Sequence, residues 1–344
     1  MSKTALDGID VAIVGASGAV GEAMREILEE RNFPVRNLHL LASERSAGIR
    51  QQFRGKSLVV EDLADFDFGQ VQIALFSAGG AISAEFAPKA AAAGCIVIDN
   101  TSYFRRDPEI PLVVPEVNAH RITDYGERRI IANPNCSTIQ MIVALKPIYD
   151  AVGIDRIVVS TYQAVSGAGK RAIETLASQT ARLLNGQSIE QDVFPQQMAF
   201  NCLPYGWPME DNSYTNEEMK LIWETQKIFE DDEIRVNPTC VRVPVFYGHS
   251  EAVYLETKAP LSASAASELL TVTPGLQVIN DTEKPDFPTP VRDAAGSDLV
   301  YVGRIRQDLD SDCGLNLWIV SDNIRKGAAL NSIQIAEVLL KHFE

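Results

Sequence analysis

Short, continuously apolar runs alternate with stretches of helical periodicity through the first hundred residues, and this pattern constrains the fold most. Val11-Ala12-Ile13-Val14, Leu38-His39-Leu40-Leu41-Ala42, Ile73-Ala74-Leu75-Phe76 and Cys95-Ile96-Val97-Ile98-Asp99 read as strands, with helices over 19–31 and 82–93. A strand apolar on both faces belongs in a sheet covered on both sides, and helical crossovers make that sheet parallel. Gly15-Ala16-Ser17-Gly18-Ala19-Val20-Gly21 closes the first strand and opens the first helix. Glycines there permit a tight turn, a close approach of backbone to a pyrophosphate, and packing of helix on strand. Any tight strand–helix turn uses glycine, so the weight lies in the strand–turn–helix setting. The expectation is a Rossmann-like, doubly wound α/β domain.

The end of the second strand bears on the choice of dinucleotide. An NAD site carries an acidic residue about 20 positions after the glycines to bind the ribose 2′-hydroxyl. Here the chain reads Ser43-Glu44-Arg45-Ser46. Two hydroxyls and a forked guanidinium suit a 2′-phosphate, which points to NADP. Glu44 leaves open the NAD alternative. Ser77-Ala78-Gly79-Gly80 follows another apolar strand and offers a second small-residue loop for the phosphates.

From about residue 154 the character changes. Arg156–Tyr162, Cys240–Val245, Ala252–Glu256 and Leu315–Val320 are longer, partly alternating strands, which suggests an α+β domain with a mixed sheet. A chain of 344 residues suits two domains. The expected division is 1–135 with 323–344, and 136–322, the amphipathic last helix (about 324–343) packing back on the first domain. A formal net charge of −15 argues against a nucleic-acid partner. No apolar run reaches about 20 residues, so no membrane span is expected, and Met1–Asp7 lacks the apolar core of a leader. Five cysteines without clustered spacing suggest neither a disulfide framework nor a metal site, and fit a reducing cytoplasm.

One of those cysteines stands apart. Asn133-Pro134-Asn135-Cys136-Ser137-Thr138 ends the apolar run 129–132 and opens an apolar-periodic stretch, placing Cys136 in the first turn of a helix. Unpaired amides and the positive end of the macrodipole favour a thiolate there, whose pKa of about 8.5 can fall by a unit or more. A small buried hydrophobe is the equal alternative. A catalytic thiol commonly needs a base, and the chain has four histidines. His39 sits in an apolar strand, and His120 and His342 sit in polar contexts. His249, in Tyr247-Gly248-His249-Ser250-Glu251, is the candidate left by elimination.

Other residues stay open on spacing alone. Gln163 ends a strand and leads into the glycine loop Ala164-Val165-Ser166-Gly167. Arg242, read as mid-strand, is either an edge salt bridge or an anion clamp. Glu217 and Lys220 share a helix face and read by default as a surface pair. Arg105 follows a strand end of the first domain.

Over essentially its full length the chain resembles the aspartate-semialdehyde dehydrogenase family. The likeness rests on the 15–21 and 43–48 segments, Asp99-Asn100-Thr101-Ser102, Val114-Pro115-Glu116-Val117-Asn118, the 133–138 segment, Gln163–Gly167, and Arg242-Val243-Pro244 leading to Gly248-His249-Ser250-Glu251. The resemblance implies Cys136 as nucleophile, His249 as acid/base and Gln163 as the residue orienting the acyl group. Arg242 would bind the substrate α-carboxylate, Glu217 (or Glu218) its ammonium, and Arg105 with Lys220 the phosphate. NADP would lie on Gly15, Ser17, Gly18, Ala19, Val20, Ser43, Arg45, Ser46, Ser77, Gly79, Ser166 and Gly167, with Asn323 on the nicotinamide carboxamide. Amides at the start of the Cys136 helix would receive the oxyanion. The implied reaction is NADPH-dependent reduction of L-4-aspartyl phosphate to the semialdehyde by a cytoplasmic homodimer. The rival readings are a reductase of N-acetyl-glutamyl phosphate and a catalytically silent dinucleotide-binding relative. Phe246-Tyr247 is bulkier than that family implies beside the imidazole.

Overall fold

The computed structural model describes residues 8–343 other than 282, 284 and 285, so Met1–Asp7 and Glu344 lie outside the described residues. Within them the chain forms two compact units, 8–134 with 328–343, and 135–327. Asn135 and residues 323–327, assigned on sequence to the first unit, belong to the second. There the Asn323 side chain accepts from Gly248 N–H at 2.9 Å, and the Asp322 carbonyl accepts from Gly327 N–H at 3.0 Å.

The first unit holds seven strands: β1 (Ile9–Val14), β2 (Val35–Ala42), β3 (Arg50–Phe53), β4 (Lys56–Asp62), β5 (Ile73–Phe76), β6 (Ile96–Asp99) and β7 (Ile130–Ala132). Their order is β3-β4-β2-β1-β5-β6-β7, parallel except for the β3–β4 hairpin. That hairpin was not expected, because Arg50-Gln51-Gln52 is polar. Its turn is Arg54-Gly55, both at positive φ, the conformation that matches the twist of two paired strands. The β1–β2 crossover runs through the helix Ala19–Glu30 and steps one way along the sheet. The β5–β6 crossover runs through Gly80–Ala92 and steps the other way. Right-handed crossovers therefore set these helices on opposite faces and open a switch point at the C-terminal ends of β1 and β5.

One face of this sheet is buried by two helices from opposite ends of the chain. Met24, Ile27 and Leu28 of the first helix pack in one cluster with Leu330, Ile333, Ala336 and Leu339 of the helix Leu330–Phe343, over Ile13, Leu40 and Leu75. Asn331 fixes the last helix by donating to Asn133 Oδ1 at 2.6 Å and to the Val113 carbonyl at 3.0 Å.

The second unit is built on β8 (Ile154–Gln163), β9 (Arg235–Arg242), β10 (His249–Thr257), β11 (Leu276–Val278), β12 (Val300–Gln307) and β13 (Gly314–Ser321), in the order β11-β12-β13-β10-β8-β9. β8–β9 and β11–β12 are parallel and the remaining pairs antiparallel, so the sheet is mixed. The helix Cys136–Val152 packs on it and is buried without a break from Ser137 to Leu145. Several strand limits differ from the sequence reading, and two of the differences matter at the site. β9 ends at Arg242 rather than Val245, because Pro244 has no N–H to continue a ladder. His249 starts β10 instead of sitting in the turn, and Gly248 makes the turn with φ +88°. Among the described residues no helix is long and apolar enough to cross a membrane.

Candidate active site

Sheet register assembles the first part of the site. Gln163 pairs with Arg242 across the parallel β8–β9 ladder, and Ser250, next to His249, pairs with Tyr162 across β8–β10. The last residues of two strands and the first of a third thus meet at one sheet end. All three side chains are buried.

The second part is the start of the helix that carries Cys136. Asn135 caps it, its Oδ1 accepting from Ser137 N–H at 3.0 Å and Thr138 N–H at 3.4 Å. Satisfying these orphan amides is the ordinary work of an N-cap asparagine. The Ser137 and Thr138 amides are thereby engaged by the cap. Gly327 lies against the nucleophile candidate: a Cβ at position 327 would fall 2.7 Å from Cys136 Cβ.

A third element, the helix Asn216–Phe229, brings in the charges. Glu217 accepts from Asn135 Nδ2 at 2.9 Å, Gln163 Nε2 at 3.3 Å and Lys220 Nζ at 2.9 Å. Its neighbour Glu218 turns away. Glu218 accepts from Thr215 N–H and from Cys240 N–H and closes a capping box with Thr215. Glu217 thus faces the Asn135–Gln163 cluster while Glu218 serves its own helix cap, and the Glu217–Lys220 pair is not the solvated surface pair that spacing suggested. Burial works against an ionised Glu217. The Lys220 ammonium, hydrogen bonds from Lys220 and Asn135, and the Arg242 charge outweigh it and hold the carboxyl down to about 2. Arg242 donates to the Ala164 carbonyl at 2.8 Å and stacks over Trp207 at 4.6 Å. Burial lowers its pKa, with Glu217, Cys136 and Cys240 opposing.

His249 is held as a neutral donor. Ala164 N–H donates to its Nδ1 at 3.0 Å, so the ring proton resides on Nε2. Nε2 is buried and has no hydrogen-bond partner among the described residues. Burial first, and then the charge of Arg242, press the imidazole down to about 3 against the pull of Glu217. Two residues along β10, Glu251 is fully buried, and burial pushes its carboxyl well above the carboxylate range.

Glycine at 167 keeps the reactive groups accessible, since a Cβ there would lie 3.2 Å from Arg242 Nη1 and 3.3 Å from His249 Nε2. Ser166 and Asn323 bond each other, with Asn323 Nδ2 donating to Ser166 Oγ at 2.9 Å. Asn323 is set by the loop that Asp322 ties down, where the carboxylate accepts from Ile324, Arg325 and Gly296 amides. Phe246 and Tyr247 are exposed. Asn135, Asp322 and Gly327 were not singled out from sequence. A cap asparagine before an apolar helix was a readable signal; the contact of Gly327 with Cys136 was not.

Most of the nucleotide candidates gather in the first unit, whereas Ser166, Gly167 and Asn323 belong to the second. A cavity of about 510 Å³ at the β1–β5 switch point is lined by Gly15, Ser17, Gly18, Ser43, Glu44, Arg45, Ser46, Ser77 and neighbours. Gly15 has φ +92°, and a Cβ there would stand 2.6 Å from the Ser77 carbonyl, so only glycine lets the two loops meet. Arg45 is exposed and makes no ion pair among the described residues, and Glu44 is exposed beside it. Cradle size, a glycine turn at a helix start and a free guanidinium fit a dinucleotide phosphate. Ala19, Val20 and Gly79 do not line the cavity. Ala19 begins the helix, Val20 packs toward the core, and Gly79 (φ +95°) caps the helix Gly80–Ala92. Arg105 also belongs to this unit, where its Nη2 donates to the Asn100 carbonyl at 2.9 Å.

Two family models match the chain: a semialdehyde dehydrogenase NAD binding domain over residues 10–125, and a semialdehyde dehydrogenase dimerisation domain over 145–326. An aspartate-semialdehyde dehydrogenase of Legionella pneumophila is 61% identical over 335 residues, covering 97% of this chain and 96% of that one. The crystal structure of aspartate semialdehyde dehydrogenase II from Vibrio cholerae, complexed with ASA, superposes with a TM-score of 0.96 at 60% identity, over 98% of this chain and 99% of that one. The Candida albicans enzyme with NADP superposes at 0.74 and 26% identity, over 96% and 98% of the two chains. On these grounds, the chain belongs to the aspartate-semialdehyde dehydrogenase family.

Proposed function

We propose that this enzyme reduces L-4-aspartyl phosphate to L-aspartate 4-semialdehyde with NADPH, a step toward lysine, threonine and methionine. The Cys136 thiolate attacks the acyl carbon; the S–C bond forms, the C–O bond to phosphate breaks, and inorganic phosphate leaves. Gln163, fixed by Ser137 and Glu217, orients the acyl group. NADPH, when bound, supplies the hydride that reduces the thioester. His249 presents Nε2–H to the substrate oxygen and steadies the negative charge that gathers there when hydride adds; as that oxygen re-forms the carbonyl, the S–C bond breaks and the thiolate is restored. Arg105 and Lys220 bind the phosphate.

The observation that carries this reading is the buried carboxylate–guanidinium combination of Glu217 and Arg242, in one unit with Cys136. An ionised Glu217 suits a free ammonium, and Arg242 suits the α-carboxylate beside it. An N-acetylated substrate carries no such charge, and side-by-side assays of both semialdehydes are expected to favour the free amino acid. NADP is favoured over NAD by Arg45, and the Candida albicans relative carries NADP. The dimerisation-domain match supports a homodimer. Five unbridged cysteines accord with a cytoplasmic setting.

The test is NADPH formation from aspartate semialdehyde with and without phosphate. Activity is expected only with phosphate, and C136A is expected to abolish it. Near-normal turnover by C136A would overturn the reading.

A further inference from the structure

Residue 135 immediately precedes the nucleophile and spends each of its polar groups. Its carbonyl accepts from Ile139 N–H at 2.9 Å, and its side-chain oxygen caps the helix. Its side-chain nitrogen goes to Glu217, and its backbone N–H donates to Glu224 Oε2 at 2.6 Å. That last bond is short for an amide donor. Glu224 is 2% exposed and stands seven residues after Glu217, two turns along the same helix face. Pro134, on the other side of Asn135, has no N–H and a fixed φ. One face of the Asn216–Phe229 helix thus grips the turn before Cys136 at two points, the backbone through Glu224 and the side chain through Glu217.

We propose that Glu224 is a positioning residue for the nucleophile: by accepting the Asn135 amide it sets the orientation of the turn that aims Cys136. The inference deepens the reading of Cys136 as nucleophile and rests on it. Glu224 acts through Asn135, as a hydrogen-bond acceptor. The required property is the acceptor, not the charge, so an amide oxygen at the same reach serves. An apolar side chain of similar size leaves a buried N–H without a partner and frees the turn.

The test compares E224Q with E224L in the full-length enzyme. A misplacement of the reacting group on the order of 1 Å can cost about 100-fold. E224L is therefore expected to lower kcat by roughly 10- to 100-fold with KM for the semialdehyde changed less than about threefold, and to slow alkylation of Cys136 by iodoacetamide across its pH profile. E224Q is expected to keep kcat within about threefold and to restore the alkylation profile. Equal kcat in E224L and the parent would overturn the proposal, as would an E224Q alkylation profile as impaired as that of E224L. Should E224L not fold, E224D, whose shorter side chain withdraws the acceptor, takes its place: alkylation slower than in E224Q supports the proposal, and a parent-like E224D overturns it. C136A separates the two readings. If C136A is dead while E224L is normal, only the positioning role fails; an active C136A removes the nucleophile itself.

Discussion

The two units hold their ligand-facing groups in opposite ways. Around the 510 Å³ cavity of the first unit the shape is made by backbone, as at Gly15, and the cation stands in solvent: Arg45 is exposed and makes no ion pair among the described residues. Around Cys136 the side chains are buried and already bonded to one another, Asn135 to Glu217 and Glu224, Ala164 to His249, Asn323 to Gly248. A cofactor that must come and go can meet groups that are still free. Groups that must meet a developing charge gain from being set beforehand, because nothing then has to reorganise during reaction.

The sharpest way to break this contrast is to disturb the prearranged cluster without touching the cavity. Gly327→Ala puts a methyl group 2.7 Å from Cys136 Cβ. We expect kcat to fall by about 100-fold while the dissociation constant for NADP stays within about twofold. Unchanged turnover, or equal damage to cofactor binding, would show that the second unit is more yielding than its bonds imply.

Acidification probes the same difference through stability. His249 has its pKa held down from 6.5 to about 3 in the fold, so the unfolded chain takes up a proton that the native state refuses. The stabilisation is therefore complete above about pH 6.5 and is lost as pH falls toward 3, at roughly 1.4 kcal/mol per pH unit. Glu217, held down to about 2, adds the same sign of effect only below its ordinary 4.5. Urea titrations at pH 6.5 and pH 5 should thus differ by about 2 kcal/mol in the parent and clearly less in His249→Asn. A parent and variant with the same slope would mean the imidazole is not buried neutral.

A smaller effect is expected where the side chain is free. Arg45→Ala should raise KM for NADP by about tenfold and KM for NAD hardly at all, since one charge-assisted contact is removed and no packing is lost. An equal change for both cofactors would assign the 2′-phosphate to another group.

Legibility from sequence divides along the same line. The glycine turn, the Ser43–Ser46 strand end and the helix opening at Cys136 are local, so spacing and periodicity expose them. Arg242 stayed ambiguous because what it does depends on the residue across the ladder. Only the Gln163–Arg242 register places it in the cluster. Glu217 and Lys220 read as surface because helix spacing reports a shared face without saying what covers it. Glu224 and Gly327 gave no local signal at all, since each acts on a segment far away in the chain. The β3–β4 hairpin was hidden for a different reason, its polar edge strand lacking the apolar run that marks the others.

The last helix has a consequence for how the molecule comes into being. Leu330, Ile333, Ala336 and Leu339 are part of the same core as the first strand and first helix, and Asn331 locks onto Asn133. On the ribosome the second unit is a continuous stretch that can complete its sheet first. The dinucleotide unit, although begun at the N-terminus, waits for the final residues to emerge before its core can close. A chain stopped at residue 327 would carry every glycine of the cofactor turn and still lack the interior that holds that turn in shape.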